Sequence, residues 1–203
     1  QHEDYDRWRQ RGNAGWGYED VLPYFRKAEN QQRGPDKYHG ADGPLPVSDW
    51  RHHDPLSEAF VVAAAEVGIP TNPDFNGATQ EGAGFFQTTT NRGRRASTAY
   101  SYLRPAKTRR NLHIETSALA QRILFEGRRA KAVEYRQEGR VRTARARKEI
   151  LVSSGAYNSP QLLQLSGLGP GGLLQKLGIR VIRDLPAVGA HLQDHFSFRA
   201  SYR

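Results

Sequence analysis

Residues 149–169 read Glu149-Ile150-Leu151-Val152-Ser153-Ser154-Gly155-Ala156-Tyr157-Asn158-Ser159-Pro160-Gln161-Leu162-Leu163-Gln164-Leu165-Ser166-Gly167-Leu168-Gly169. The apolar run Ile150–Val152 predicts the end of a strand buried on both faces. Ser153–Ala156 predicts a turn of small residues. Ser159 followed by Pro160 predicts an N-cap and a first helical position, with helix over 161–166 and a stop at Gly167. A strand, a tight turn and a capped helix in succession is an α/β arrangement. Such a turn admits a ligand close to the backbone, because no bulky side chain intrudes. The helix start beyond it favours anions. A tight strand–helix connection would need the same small residues for packing, so the residues by themselves leave both readings open.

Upstream of this stretch the period is two. Strands are predicted near 112–117, 119–126, 130–136 and 141–153, with a turn at Glu126-Gly127. In Gly139–Arg147, small or apolar residues alternate with arginine, the pattern of a strand with one wet face. The chain carries a net charge of +9, unevenly spread. Residues 1–100 hold 11 Lys and Arg against 14 Asp and Glu, whereas 101–203 hold 19 against 7. A basic nucleic-acid surface is one reading of that excess. No aromatic residue interleaves with the arginines to stack on bases, which favours exposed strands instead.

Downstream, Gly172–Leu177 predicts a short helix closed by Gly178, and 179–183 a strand. Gly167-Leu168-Gly169-Pro170-Gly171-Gly172 matches G-x-G-x-x-G by letter. A dinucleotide fingerprint follows a strand, whereas this stretch follows a helix, and Pro170 lacks an amide donor. It reads as a connector. His191 and His195 stand four apart, a two-ligand spacing on a helix, but without a third ligand nearby or the Glu of H-E-x-x-H. No metal site is assigned.

The first hundred residues are rich in Gly, Pro, Asp and aromatics. Asp20 predicts a cap for a helix over Val21–Ala28. His39–Val47 predicts a tight turn leading into a strand. Asp54 and Pro55 predict a helix start, Leu56, Ala59, Phe60, Ala63 and Val67 its apolar stripe, and Gly68 its end. Phe85–Asn91 predicts a strand. Ser97 or Thr98 predicts the cap of a helix ending before Pro105.

Composition sets the outer bounds. Hydrophobic residues are 37% of the 203 and aromatics 10%, enough for a core and against disorder. The longest apolar run, around Phe60–Ala65, is far shorter than the roughly 20 residues of a membrane helix. No basic start with an apolar stretch marks secretion. A cytoplasmic location is the resulting expectation. The absence of cysteine excludes disulfides and thiolate catalysis. Methionine is absent too, even at position 1, which predicts a processed chain or a piece of a longer one.

Gly155–Pro170 resembles the second diagnostic motif of the glucose–methanol–choline (GMC) flavin oxidoreductases. Other segments agree in order. Gly15-Trp16-Gly17-Tyr18-Glu19-Asp20-Val21-Leu22-Pro23-Tyr24-Phe25 resembles the family's Trp-Gly…Val-Leu-Pro-Tyr-Phe. His39-Gly40…Gly43-Pro44-Leu45 resembles its His-Gly-x-x-Gly-Pro-Leu. Gly93–Ala99 with Tyr102-Leu103 resembles the run before its flavin-domain strands. Val188-Gly189…Leu192-Gln193-Asp194-His195 resembles its Val-Gly-x-Asn-Leu-Gln-Asp-His. The resemblance spans roughly 12–195 and is to the choline and alcohol dehydrogenase side. His191 departs from the family's Asn, and Ser154 from its Gly or Ala.

The resemblance implies an FAD enzyme that oxidises an alcohol by hydride transfer to flavin N5 while a base takes the hydroxyl proton. It implies an α/β (α+β) chain with part of a Rossmann-like FAD-binding domain and its β-meander, plus part of an antiparallel-sheet substrate domain. The boundaries it implies are 1–95 for the substrate domain, 96–190 for the FAD domain, and 191–203 for a return toward the substrate domain. Backbone at Ala120, Ser154, Gly155 and Ala156 is implied to hold the adenine end of FAD. Phe85, Phe86 and Gln87 are weaker candidates for the substrate pocket. The family's N-terminal pyrophosphate loop and C-terminal catalytic histidine have no counterpart in these residues, so no catalytic residue is assigned. The chain is expected to be an internal segment, inactive in isolation, whose partner is a small alcohol and neither nucleic acid nor a membrane span. The alternatives are a noncatalytic binding module of the same lineage and a basic nucleic-acid-binding domain.

Overall fold

The computed structural model describes residues 1–198. Helices and short strands alternate along the chain, and the only sheet of more than two strands among the described residues is a three-stranded meander. The fold is mixed α/β, as expected. Two compact units divide the chain, Gln1–His113 and the residues from Ile114 onward.

The first unit opens with α1 (His2–Gln10) and α2 (Tyr18–Ala28). Asp20 serves α2 differently from the sequence reading. The N-cap is Gly17, and Asp20 stands at the third helical position, where its carboxylate accepts the Gly17 amide at 3.0 Å. A carboxylate one turn into a helix satisfies an otherwise unpaired terminal amide. Strand β1 (Glu29–Gln31) follows and pairs in parallel with β2 (Leu45–Val47). The intervening loop folds back over the end of α2. A Cβ on Gly40 would overlap the Arg26 carbonyl, so the backbone approaches there only as glycine.

Helix α3 (Pro55–Glu66) is capped as predicted, the Asp54 carboxylate accepting the Leu56 amide at 2.9 Å. Its predicted apolar stripe is not core: Leu56, Phe60 and Val67 are exposed, and Ala64 is the buried residue. The predicted strand over 85–91 shrinks to a hairpin of β3 (Thr90–Asn91) and β4 (Arg94–Arg95), preceded by a single antiparallel bridge between Ser48 and Thr88. The Ser97–Thr98 start holds, but as a π-helical turn, Ala99–Leu103, that runs into α4 (Arg104–Ala106) through Pro105. Proline is accommodated in the first turn of α4, where no intrahelical amide is required.

In the second unit β5 (Leu119–Glu126), β6 (Arg129–Gln137) and β7 (Arg140–Arg145) form an antiparallel meander. The register shifts between Ala120 and Arg122, a bulge in β5. Residues 112–117 form no strand. Strand β7 is shorter than predicted and exposed along all six residues, on both faces rather than one. Ile150–Val152 is not a buried strand: no strand of the described chain pairs with it, and Leu151 is 81% exposed. A strand is buried on both faces only between neighbouring strands with layers above and below, and these residues supply neither.

Helix α5 (Gly155–Leu165) starts earlier than the Ser159-Pro160 pair suggested, with Ser154 as N-cap and Pro160 inside the helix. The Ser159 hydroxyl instead accepts the Ser154 amide at 3.0 Å, so it supports the turn from within the helix. Helix α5 packs on β5 through a buried link at its far end. Ser166 Oγ donates to the Leu162 carbonyl at 2.5 Å and accepts the Ile123 amide at 2.7 Å. Replacing Ser166 with Ala strands a buried strand amide, and we expect a loss of about 1–3 kcal/mol in urea unfolding. Then β8 (Leu168–Gly169), α6 (Gly171–Lys176) and β9 (Arg183–Asp184) close the unit, with β8 and β9 parallel. The strand predicted at 179–183 is thus shorter and later. Residues 191–198 are irregular, so His191 and His195 do not share a helix face. The expected return of 191–203 toward the substrate domain lies partly outside the described residues.

Candidate functional site

The residues expected to hold the cofactor lie on elements that pack together. Ala120 is exposed at the bulge of β5, and Ser154, Gly155 and Ala156 open α5, also exposed. Gly155 has φ +83° with open space where a side chain would be, so backbone conformation and not crowding requires glycine there. No side chain caps α5. Apart from the Ser154 amide, which Ser159 Oγ accepts, its first amides therefore have no side-chain partner, and the helix start carries partial positive charge.

Ala156 borders a cleft of about 250 Å³ with Tyr157, Pro160, Gln164, Gly189 and Ala190. Two motifs far apart in sequence, 155–170 and 188–195, thereby share one concavity. Nothing in the residues of either motif signals this neighbourhood beyond their common family. The exposed turn of small residues and the cleft beside it suit a flat group approaching the backbone.

The letter match to G-x-G-x-x-G is closed to a phosphate. Gly171 donates its amide to Asp184 Oδ1 at 2.8 Å. A carboxylate already occupies the donor, and its charge would repel another anion. Reading 167–172 as a connector agrees with this geometry.

The first unit contains a denser polar cluster, which sequence reasoning recognised only as a family motif around His39. His39 is 5% exposed. Its Nδ1 lies 2.9 Å from Glu29 Oε2, and its Nε2 lies 2.9 Å from Asp74 Oδ2. Burial disfavours the charged imidazole, but the hydrogen bonds and charges of Asp74 and Glu29 outweigh it and raise the pKa above 6.5. Asp36 Oδ1 accepts the amides of Tyr38 and His39, both at 2.7 Å, which hold its carboxyl below the usual range against the opposing effect of burial.

Beside this cluster, Gln31 and Gln87 exchange two amide hydrogen bonds of 2.9 Å, and Gln87 donates to Asp49 at 2.8 Å. Arg33 bonds Asp49 and lowers its pKa. A cleft of about 700 Å³ borders His39 and Glu29, with Tyr5, Tyr18, Tyr38 and Phe75 among its walls. Phe85, Phe86 and Gln87 do not line it. Phe85 stacks on His53 with ring centroids 3.8 Å apart, Phe86 leans on Phe75, and Gln87 belongs to the amide pair.

No described helix is long and apolar enough to cross a membrane. The profile of the family described as GMC oxidoreductase matches residues 1–197. The oxygen-dependent choline dehydrogenase of Burkholderia vietnamiensis is 52% identical over 98% of this chain. The mitochondrial choline dehydrogenase of Homo sapiens is 50% identical over 95%. The chain spans 36% and 32% of the lengths of these two relatives. Among solved structures, pyridoxine 4-oxidase from Mesorbium loti superposes with TM-score 0.85 at 30% identity, over 91% of this chain and 37% of that one. An FAD-dependent oxidoreductase from Chaetomium thermophilum superposes with TM-score 0.85 at 32% identity, over 92% of this chain and 35% of that one. With the family model matched from residue 1 to 197 and its fold shared with a solved FAD-dependent oxidoreductase, the chain belongs to the GMC oxidoreductase family.

Proposed function

We propose that this chain is part of an FAD-dependent enzyme that oxidises an alcohol of the choline type to an aldehyde. The observation that carries the reading is the exposed, uncapped start of α5 opening on the cleft shared by the two family motifs. FAD, when bound, supplies the acceptor for the hydride leaving the alcohol carbon, while the hydroxyl proton passes to a base. The residues of this chain act by holding and orienting. Ser154, Gly155 and Ala156 present backbone to the adenine end, and Ala120 presents backbone from the bulge of β5. The absence of large side chains in the turn keeps that approach open. On this reading 1–95 contributes to the substrate domain and 96–190 to the FAD domain, and no residue of the chain is a catalytic base.

The test is to express the complete reading frame and measure bound flavin by absorbance, together with flavin bleaching on adding choline without oxygen. Stoichiometric FAD and bleaching by choline are expected. Ala156→Glu places a carboxylate at the start of α5 and should weaken FAD binding at least tenfold. The isolated chain should retain no FAD. A flavin-free wild-type frame, or unchanged FAD affinity in the Ala156 variant, overturns the reading.

A further inference from the structure

Gln164 lies on α5, two turns beyond the residues expected to contact the cofactor, and it touches two other segments. Its Nε2 donates to the Val188 carbonyl at 2.8 Å. A Cβ on Gly189 would fall 2.6 Å from that same Nε2. A Cβ on Gly169 would fall 2.9 Å from its Cγ. Gly189, in a turn, and Gly169, on β8, thus lay bare backbone against one side chain. Gly189 also has φ +82°, a turn that reverses the chain immediately after the hydrogen bond. Gln164 borders the cleft together with Ala156, Gly189, Ala190 and Leu192.

We infer that Gln164 is a positioning residue for the cofactor site: it ties the Val188-Gly189 turn to α5 and thereby sets the distance between the Ser154–Ala156 turn and the 189–192 wall. The inference rests on the proposed FAD reading. The physical argument is geometric. Residues 189–192 belong to no helix or strand, so the ladder hydrogen bonds that fix regular elements do not fix this wall. A glutamine amide can fix it, because its donor reaches past the helix surface to a carbonyl on the neighbouring loop. The adjoining glycines allow a close approach that a Cβ at either position would crowd. Without the donor the turn keeps its chain connectivity but loses its anchor on α5, and the cleft has no fixed width.

Gln164→Met keeps the length of the side chain and removes the donor. In the complete reading frame, this variant is expected to bind FAD about tenfold more weakly. Turnover at saturating FAD should stay within about twofold of wild type, and the melting temperature of the flavin-free protein should change little. Amides of 188–192 should exchange with solvent faster than in wild type, read by mass spectrometry. A general loss of structure would instead lower turnover and melting temperature together, which overturns the positioning role. Should Gln164→Met not fold, Gln164→Asn, shorter by one methylene, serves the same comparison. A variant with wild-type FAD affinity in a wild-type protein that does bind FAD defeats this inference alone. A wild-type protein that binds no FAD defeats the functional reading beneath it.

Discussion

Replacing His39 with Leu is expected to destabilise the first unit by about 3 kcal/mol, the lower end of the range for removing one partner of a buried ion pair. Glu29 and Asp74 keep some solvent contact, with side chains 15% and 25% exposed, which places the loss at that lower end. The geometry itself requires the charged ring. Each ring nitrogen of His39 faces a carboxylate, and a neutral imidazole has only one N–H to donate. Protonation lets both nitrogens donate, and each hydrogen bond is then charge-assisted.

The pH dependence follows from the raised pKa. The contribution of His39 is complete below about pH 6.5, the value of an unfolded histidine, and it is lost as pH rises through the higher folded value. In urea unfolding across pH 5.5–9, the stability gap between wild type and His39→Leu should therefore be widest at the acid end and narrow upward. A gap that is constant with pH would show that the ring acts by packing alone.

Leu174→Ala is expected to cost the second unit about 2–5 kcal/mol in urea unfolding. Leu174 has no exposed surface, and it is the largest side chain so enclosed among the described residues. Helix α6 has six residues, too few to be stable without tertiary packing. Its end is tied to the same residue, because the Leu174 carbonyl accepts the amides of Leu177 and Ile179. A Cβ on Gly169 would lie 3.6 Å from Leu174 Cδ1, so β8 packs beside this side chain and truncation removes that contact. The loss should appear in the stability of the unit without a change in the first unit's pH profile.

Local signals were read correctly where one residue's chemistry decides the structure. Asp54 with Pro55 marked the start of α3, and the turn at Glu126-Gly127 placed the meander. Local preference did not decide the structure where two local signals competed. Ser159-Pro160 is a good helix start in isolation, yet Gly155 at positive φ allowed α5 to begin five residues earlier. Nor did hydrophobicity by itself decide burial. Ile150–Val152 and the stripe of α3 are apolar, but burial needs a facing surface, and none of the described residues provides it.

The candidate site divides in the same way. The small-residue turn at Ser154–Ala156 was legible because glycine and alanine announce close backbone approach. The joining of that turn to Gly189 and Ala190 was not, since nothing in either segment encodes the other.

From sequence alone came the family, the mixed α/β class, the meander and the small-residue turn, each carried by contiguous residues whose conformational preferences act locally. The tertiary structure decided the rest. It set His39 between carboxylates 10 positions before and 35 positions after it. It paired Gln31 with Gln87 across 56 positions, and it anchored the Val188 carbonyl on Gln164 across 24. Such contacts depend on how the chain returns upon itself, and a hydrogen bond between distant side chains leaves no periodicity in the sequence from which to read it.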